Sequence, residues 1–127
     1  MATTAQYAAT VRTAQGQVST ANTNRDGTGT IATIFTAGSS GSRIDDIYIV
    51  ATGTTTANVV RLFVHDGTNA RLWREILVPA ITPSVTVSVF NAALLSQGLI
   101  LASSWSLRAS TNNAETYNIL VTRAGDF

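Results

Sequence analysis

His65 is the only histidine of the chain, and it precedes Asp66-Gly67, a dipeptide that reads as a hairpin turn because glycine readily takes φ > 0. To act as a base or a metal ligand, an imidazole needs a second group beside it. No spacing rule brings Ser40, Asp45 or Asp46 to it, so a solvated hairpin shoulder explains this residue. Asp45 and Asp46 are adjacent and would point to opposite faces of a strand, which rules out a carboxylate pair. Ser39, Ser40 and Ser42 lie among glycines without forming a G-x-S-x-G elbow. Gly27-Thr-Gly-Thr-Ile-Ala32 has the letters of a dinucleotide-binding turn, but it leads into β-branched Ile31-Ala-Thr-Ile-Phe35 where that turn must open a helix. The EF-hand pattern is absent. With no cysteine there is no disulfide, thiolate nucleophile or zinc-thiolate site, and with no lysine there is no Schiff base or P-loop lysine. The expectation is a protein that is not an enzyme, with no catalytic residue, cofactor, metal or small-molecule substrate.

The charges are more informative. Only 12% of the 127 residues are charged while 45% are apolar, and the basic residues are eight arginines against five aspartates and two glutamates, for a net charge of +1. A nearly neutral chain lacks the basic field of a nucleic-acid binder, and its apolar runs are far shorter than the roughly 20 residues needed to span a bilayer. No apolar core of a secretory signal is visible in the first 25 residues. Arginine is the cation favoured at protein interfaces, where its planar fork stacks and binds carboxylates. Arg61, Arg74 and Arg108 fall on expected strands opposite apolar faces, so together with Trp73 they form a possible outward interface. A compositional preference for arginine codons explains them equally well.

The elements that position these residues are strands. Residues 1–29 are rich in Ala, Thr, Gln and Asn, with Tyr7, Val11 and Val18 as the larger apolar anchors, and read as an extended N-terminal arm. Short β segments near Tyr7–Arg12 and Gln17–Ala21 would lie on a neighbouring sheet, and Asn22–Thr30 would be a hinge. From Thr30 to Phe127, β-branched runs recur between Gly, Asn, Ser and Pro clusters. Strands are expected near Thr30–Phe35, Arg43–Ala51, Asn58–His65, Arg71–Val78, Ser84–Phe90, Leu99–Leu101, Ser104–Ser110 and Thr116–Arg123. Alternation places Val85, Val87 and Val89 on one face, and Trp105 in phase with Leu107 and Ala109 in the core. One Ala/Leu-rich helical turn is expected over Asn91–Gln97. The sum is an all-β, antiparallel two-sheet sandwich of jelly-roll or Greek-key type. An immunoglobulin-like sandwich ranks second because the Cys…Trp…Cys spacing is missing.

Four phrases carry a resemblance: Ala21-Asn-Thr-Asn-Arg-Asp-Gly-Thr-Gly-Thr30, Gly41-Ser-Arg-Ile-Asp45, Thr54-Thr-Thr-Ala-Asn-Val-Val-Arg-Leu-Phe-Val-His-Asp-Gly67 and Trp105-Ser-Leu-Arg-Ala-Ser-Thr-Asn-Asn-Ala-Glu115. Over Ala21–Phe127 the chain resembles the capsid decoration, or cement, proteins of tailed bacteriophages. That resemblance implies a β-sandwich made in the host cytoplasm and bound to the outer capsid surface of the virion, commonly as a homotrimer, where it locks neighbouring copies of the major capsid protein together. The arm, with Tyr7, Val11 and Val18 as anchors and Asn22, Asn24, Arg25 and Asp26 setting its register, would make the capsid or inter-subunit contact. The alternative is a carbohydrate-binding or host-attachment module of a head or tail fibre, with Trp73 or Trp105 as the sugar platform.

Overall fold

The computed structural model describes residues 8–127, so Tyr7 lies outside the described residues. Among the described residues there are nine strands: β1 (Thr10–Val18), β2 (Ala32–Thr36), β3 (Ser42–Ala51), β4 (Asn58–His65), β5 (Ala70–Val78), β6 (Asn91–Leu94), β7 (Leu99–Leu101), β8 (Ser106–Thr111) and β9 (Tyr117–Asp126). They form two antiparallel sheets. The first, sheet A, has the order β1-β9-β3-β6, with β7 pairing β3 further along the same side; the second, sheet B, has the order β2-β8-β4-β5. Counting β6 and β7 as one interrupted strand leaves eight, and the chain moves between the sheets in jelly-roll order.

The core lies between the sheets. Ile44, Ile47, Ile49, Ile119 and Val121 from sheet A face Val60, Leu62, Leu107 and Ala109 from sheet B, all essentially without exposure. Alternation in β3 and β9 supplies one such side chain every second residue. In β5 the register slips opposite Leu62 and Phe63. The extra residue there, Trp73, turns inward and packs on the core. The β4–β5 hairpin closes as its sequence requires. Asp66 Oδ1 accepts the amides of Thr68 and Asn69 at 2.9 and 2.7 Å, Gly67 has φ +95°, and the Gly67 amide donates to His65 Nδ1 at 3.0 Å.

Four expectations are corrected. The body starts before Thr30: β1 is a single strand paired antiparallel to β9 of the same chain, and Val18 is buried in the core. What read as an arm laid on a neighbour is an edge strand of the protein's own sheet. Ser84–Phe90 is not a strand. The Ser84 hydroxyl accepts the amides of Thr86 and Val87 and holds a turn that leaves Val85 fully exposed, so the alternating valines do not share a buried face. Asn91–Gln97 contains no helical turn. Residues 91–94 pair with Val50–Ile47, because sheet A offers hydrogen bonds that outweigh the mild helix preference of Ala and Leu. Trp105 is 36% exposed rather than in the core, since Ser104 at φ +70° breaks the alternation before β8 begins.

Sheet A's edge strand reaches sheet B at a glycine. A Cβ on Gly16 would lie 2.4 Å from Ile34 Cδ1, and Ile34 is buried. Glycine to alanine within a strand ordinarily stabilises by about 0.5–1 kcal/mol. Here Gly16→Ala should instead destabilise by about 1–3 kcal/mol through overpacking, and Ile34→Val, which removes Cδ1, should recover part of that loss in the double variant. Urea denaturation of the four proteins checks the sign and the coupling.

Candidate interaction surface

Arg61 stands in the middle of β4 on the face of sheet B that points away from the core, yet it is only 2% exposed. The cover is the β1–β2 connection. Ala21 bridges Thr111 in parallel, and the Asn22 amide donates to Thr111 O. The connection then crosses the sheet until Gly27 (φ +87°) lies so close to Ala70 that a Cβ would sit 2.4 Å from its carbonyl oxygen. Under this crossing Arg61 Nε donates to Glu75 Oε2 at 2.8 Å, and NH1 donates to Asn22 O and Asn112 Oδ1 at 3.2 Å. Arg25 Nε, on the crossing itself, donates to the same Glu75 oxygen at 2.7 Å. Hydrogen bonds from Arg25 and Arg61 hold the Glu75 carboxyl below its ordinary range. Phe63, two residues along β4 from Arg61, is also fully buried outside the main core cluster.

The expected contact residues are thereby sorted. Asn22 and Arg25 meet Arg61 and close the protein's own fold. Asn22 Nδ2 donates to Thr28 O and Thr30 O, while Asn24 Nδ2 donates to Thr28 Oγ1, and Thr28 donates its amide and hydroxyl to Asp26. Those bonds from Thr28 hold the Asp26 carboxyl below its usual range. The Asn22–Thr30 stretch is therefore a fastened cover and not a hinge, and Arg61 is not an outward arginine. Arg74 is exposed; its guanidinium lies 5.1 Å over the Trp73 ring and donates to Gln97 Oε1 of the β6–β7 connection. Arg108 is half-buried on the outer face of sheet B and donates to Ser106 Oγ. Glu75 and Asn112 carry no motif and were not singled out by sequence. The Asp66-Gly67 turn by itself would set Arg61 opposite Arg74; the register slip at Trp73 brings Glu75 there instead, and no sequence pattern marks that slip.

Two further polar clusters close the ends of the sandwich. At one end Asn58, Glu115 and Tyr117 meet between β4 and β9. Asn58 Nδ2 donates to Tyr117 OH at 2.9 Å, Tyr117 OH donates to Glu115 Oε1 at 2.8 Å, and Thr56 donates its amide and hydroxyl to Glu115 Oε2. Burial raises the Glu115 carboxyl, but the bonds from Thr56, Tyr117 and Asn58 outweigh it and leave the group below its ordinary value; burial and the Glu115 bond push Tyr117 up to about 12. At the other end Arg12 NH1 donates to Thr36 O and Asp126 Oδ1, and its guanidinium lies 4.2 Å over the Phe35 ring. Ser42 also donates to Asp126.

Toward that second end four large apolar side chains are left in water, while Leu77 and Val85 are exposed toward the first. Val11 is 78% exposed, Ile100 55% and Phe127 49%, with Trp105 beside them. The register places Val11 and Ile100 in one row across sheet A, at opposite ends of the row with Gly125 and Arg43 between them, and the Phe127 amide donates to Gly41 O at the same end of the sandwich. Trp105 O accepts the Ala37 amide at the same end. Among the described residues no group of three His, Cys, Asp or Glu is placed to hold a metal ion. No protein-family model matches the chain, and none of the curated proteins compared with it matches.

Two outcomes follow from the clusters. Arg61→Ala should cost about 3–5 kcal/mol, because it strips a buried charge network of its centre, and should speed amide exchange over residues 21–31; Arg25→Ala, at a pair open to water, should cost under about 1 kcal/mol. Tyr117 has a folded pKa above its ordinary 10, so its contribution is complete below pH 10 and is lost as pH rises through about 12. Glu115 has the opposite sign: its contribution is present above the ordinary carboxylate range and is lost as pH falls through its lowered value. Denaturation midpoints across pH, for the parent and Tyr117→Phe, should show the alkaline loss only in the parent once the other tyrosines are allowed for.

Proposed function

We propose that this protein is a structural virion protein, a clamp that binds the outer surface of a bacteriophage capsid and holds neighbouring copies of the major capsid protein together without covalent bonds. The observation that carries the reading is that Val11, Ile100, Trp105 and Phe127 are all exposed toward one end of the sandwich, on a rigid strand framework. Large exposed apolar side chains gathered at one end mark an interaction site more often than a bare surface. The contact is the end of a rigid sandwich, in place of a free arm, and the resemblance over Ala21–Phe127 supplies the partner. Repetition over many identical sites lets modest single contacts hold a shell.

Jelly rolls serve as capsid proteins and as lectins alike, and fold does not choose between them. Trp73 is a poor sugar platform because its ring packs on the core and carries Arg74. Trp105 is the residue that keeps the glycan-binding reading alive.

Co-sedimentation with capsids of the parent phage separates the two. Ile100→Asp combined with Val11→Asp should lower capsid binding more than about tenfold, since desolvating a new charge costs well over 1.4 kcal/mol. Leu77→Asp combined with Val85→Asp makes a like pair of changes at well-exposed sites toward the opposite end and should bind as the parent does. Parent protein that ignores capsids but binds a glycan array, with loss in Trp105→Ala, would establish the attachment reading instead.

A further inference from the structure

The four sheet edges are not protected alike. At the far side of sheet B, β5 carries Arg71, Arg74 and Glu75 and a register slip. β2, the other edge of sheet B, has five residues and its own slip between Thr33 and Phe35. β6 and β7 have four and three residues. Charge, irregularity and shortness are the usual means by which an edge avoids adding another strand. β1 lacks most of them. It has nine residues, no proline or lysine, and a single irregularity between Arg12 and Ala14. Beyond that point Ala14–Val18 runs in unbroken register against Val121–Tyr117. Its one charge, Arg12, is engaged with Asp126, Thr36 O and the Phe35 ring. Gln15 and Gln17 are exposed and uncharged, and among the described residues no strand pairs the other edge of β1.

We propose that the free edge of β1 is an assembly edge, and that its occupant is β1 of a second copy of this chain, antiparallel across a two-fold axis near Gly16. Self-complementarity selects a second copy over an unrelated strand. A two-fold contact must be self-complementary, and the neutral stretch Ala14–Val18 opposes nothing of like charge when paired with itself. The register is fixed in parity, because the residue numbers of opposed pairs must sum to an even value for core-facing side chains to stay on the core side. With Gly16 on the axis, Gln15 of one copy stands opposite Gln17 of the other, twice; Gln17 Nε2 already donates to Asn118 Oδ1 at 2.8 Å, which leaves its Oε1 to accept from Gln15 of the other copy. A net charge of +1 leaves little repulsion between copies. The two five-stranded sheets then join into one, leaving the apolar end with Ile100, Trp105 and Phe127 outside the contact.

The inference stands apart from the capsid reading, because it is read from the mass of the free protein. Light scattering and sedimentation of the full chain should give twice the chain mass, with dissociation on dilution as mass action requires. Gln15→Lys with Gln17→Lys should halve that mass while leaving the near-UV circular dichroism of the fold unchanged. An equal mixture of this variant with Gln15→Glu/Gln17→Glu should restore the doubled mass, since each lysine then faces a glutamate. Parent protein of single mass at all concentrations overturns the proposal, as does a three-copy mass or an oligomer indifferent to the lysines. Capsid binding by a chain that proves monomeric would leave the clamp reading standing and remove this one.

Discussion

The burial of Arg61 is the constraint around which the outer face of sheet B is organised. A guanidinium removed from water needs both charge compensation and enough acceptors for its fork of donors. One strand supplies the charge, since Glu75 stands opposite Arg61 in the β4–β5 register. The β8–β9 connection supplies the Asn112 side chain, and the β1–β2 connection supplies the Asn22 carbonyl. Arg61 therefore ties three otherwise separate parts of the chain to one centre. Lysine could not replace it, because a single ammonium lacks the planar fork that reaches Glu75 and Asn112 in different directions. Gly27 and the Asn22 side chain then serve this closure, one by allowing close approach to Ala70 and the other by bracing Thr28 and Thr30.

The same economy governs the remaining charges. Arg12 and Asp126 close one end between the sheets; Arg43, Asp45 and Arg123 associate near the bulge of β3, where Asp45 and Asp46 also accept the Gly98 and Ser96 amides. A chain with so few ionised groups has directed many of them to its own loops and sheet ends. Its surface is left with threonine hydroxyls, amides and several large apolar side chains. Low charge thus reflects internal use as much as a covered exterior, and the exposed apolar side chains are the better guide to where a partner fits.

Much of the fold was legible in the sequence, and where it was not, a physical competitor won. β4 and β5 were readable because Asp66-Gly67 fixes both the turn and the strands flanking it. The strand expected near Leu99–Leu101 is β7, an apolar run between Gly98 and the Ala102-Ser-Ser104 turn. Ser84–Phe90 has the alternation of a strand, but alternation reports only what a strand would do if a sheet edge were free to receive it; the Ser84 hydroxyl satisfies those amides locally. Asn91–Gln97 has a helix-like composition and too short a length to overcome nucleation against a waiting edge of β3. The polar segment 22–30 reads as a hinge because it is rich in Asn, Asp, Gly and Thr. Its role depends on Arg61, which lies 31 residues beyond its end, and no local pattern encodes that meeting. Trp105 likewise is a surface residue through the conformation of Ser104 before it, not through its own type.

Reassigning Thr10–Val18 from arm to strand alters the physics of any contact at that end. A free arm must lose conformational entropy of about 1–2 kcal/mol per residue when it is fixed on a partner. A strand already hydrogen-bonded to β9 has lost that freedom during folding, so a contact through Val11 keeps more of its interaction energy. The cost moves to geometry, because a rigid end fits only a partner of complementary shape. Load applied there also runs along β1, β9 and β3, which are neighbours in sheet A and its longest strands. Pulling along those strands strains many ladder bonds together, whereas a flexible tether would transmit the load to its first anchoring residue. A sandwich held by its end is therefore suited to resisting displacement between the bodies it joins, and that property follows from the β1–β9–β3 ladder independently of which partner is held.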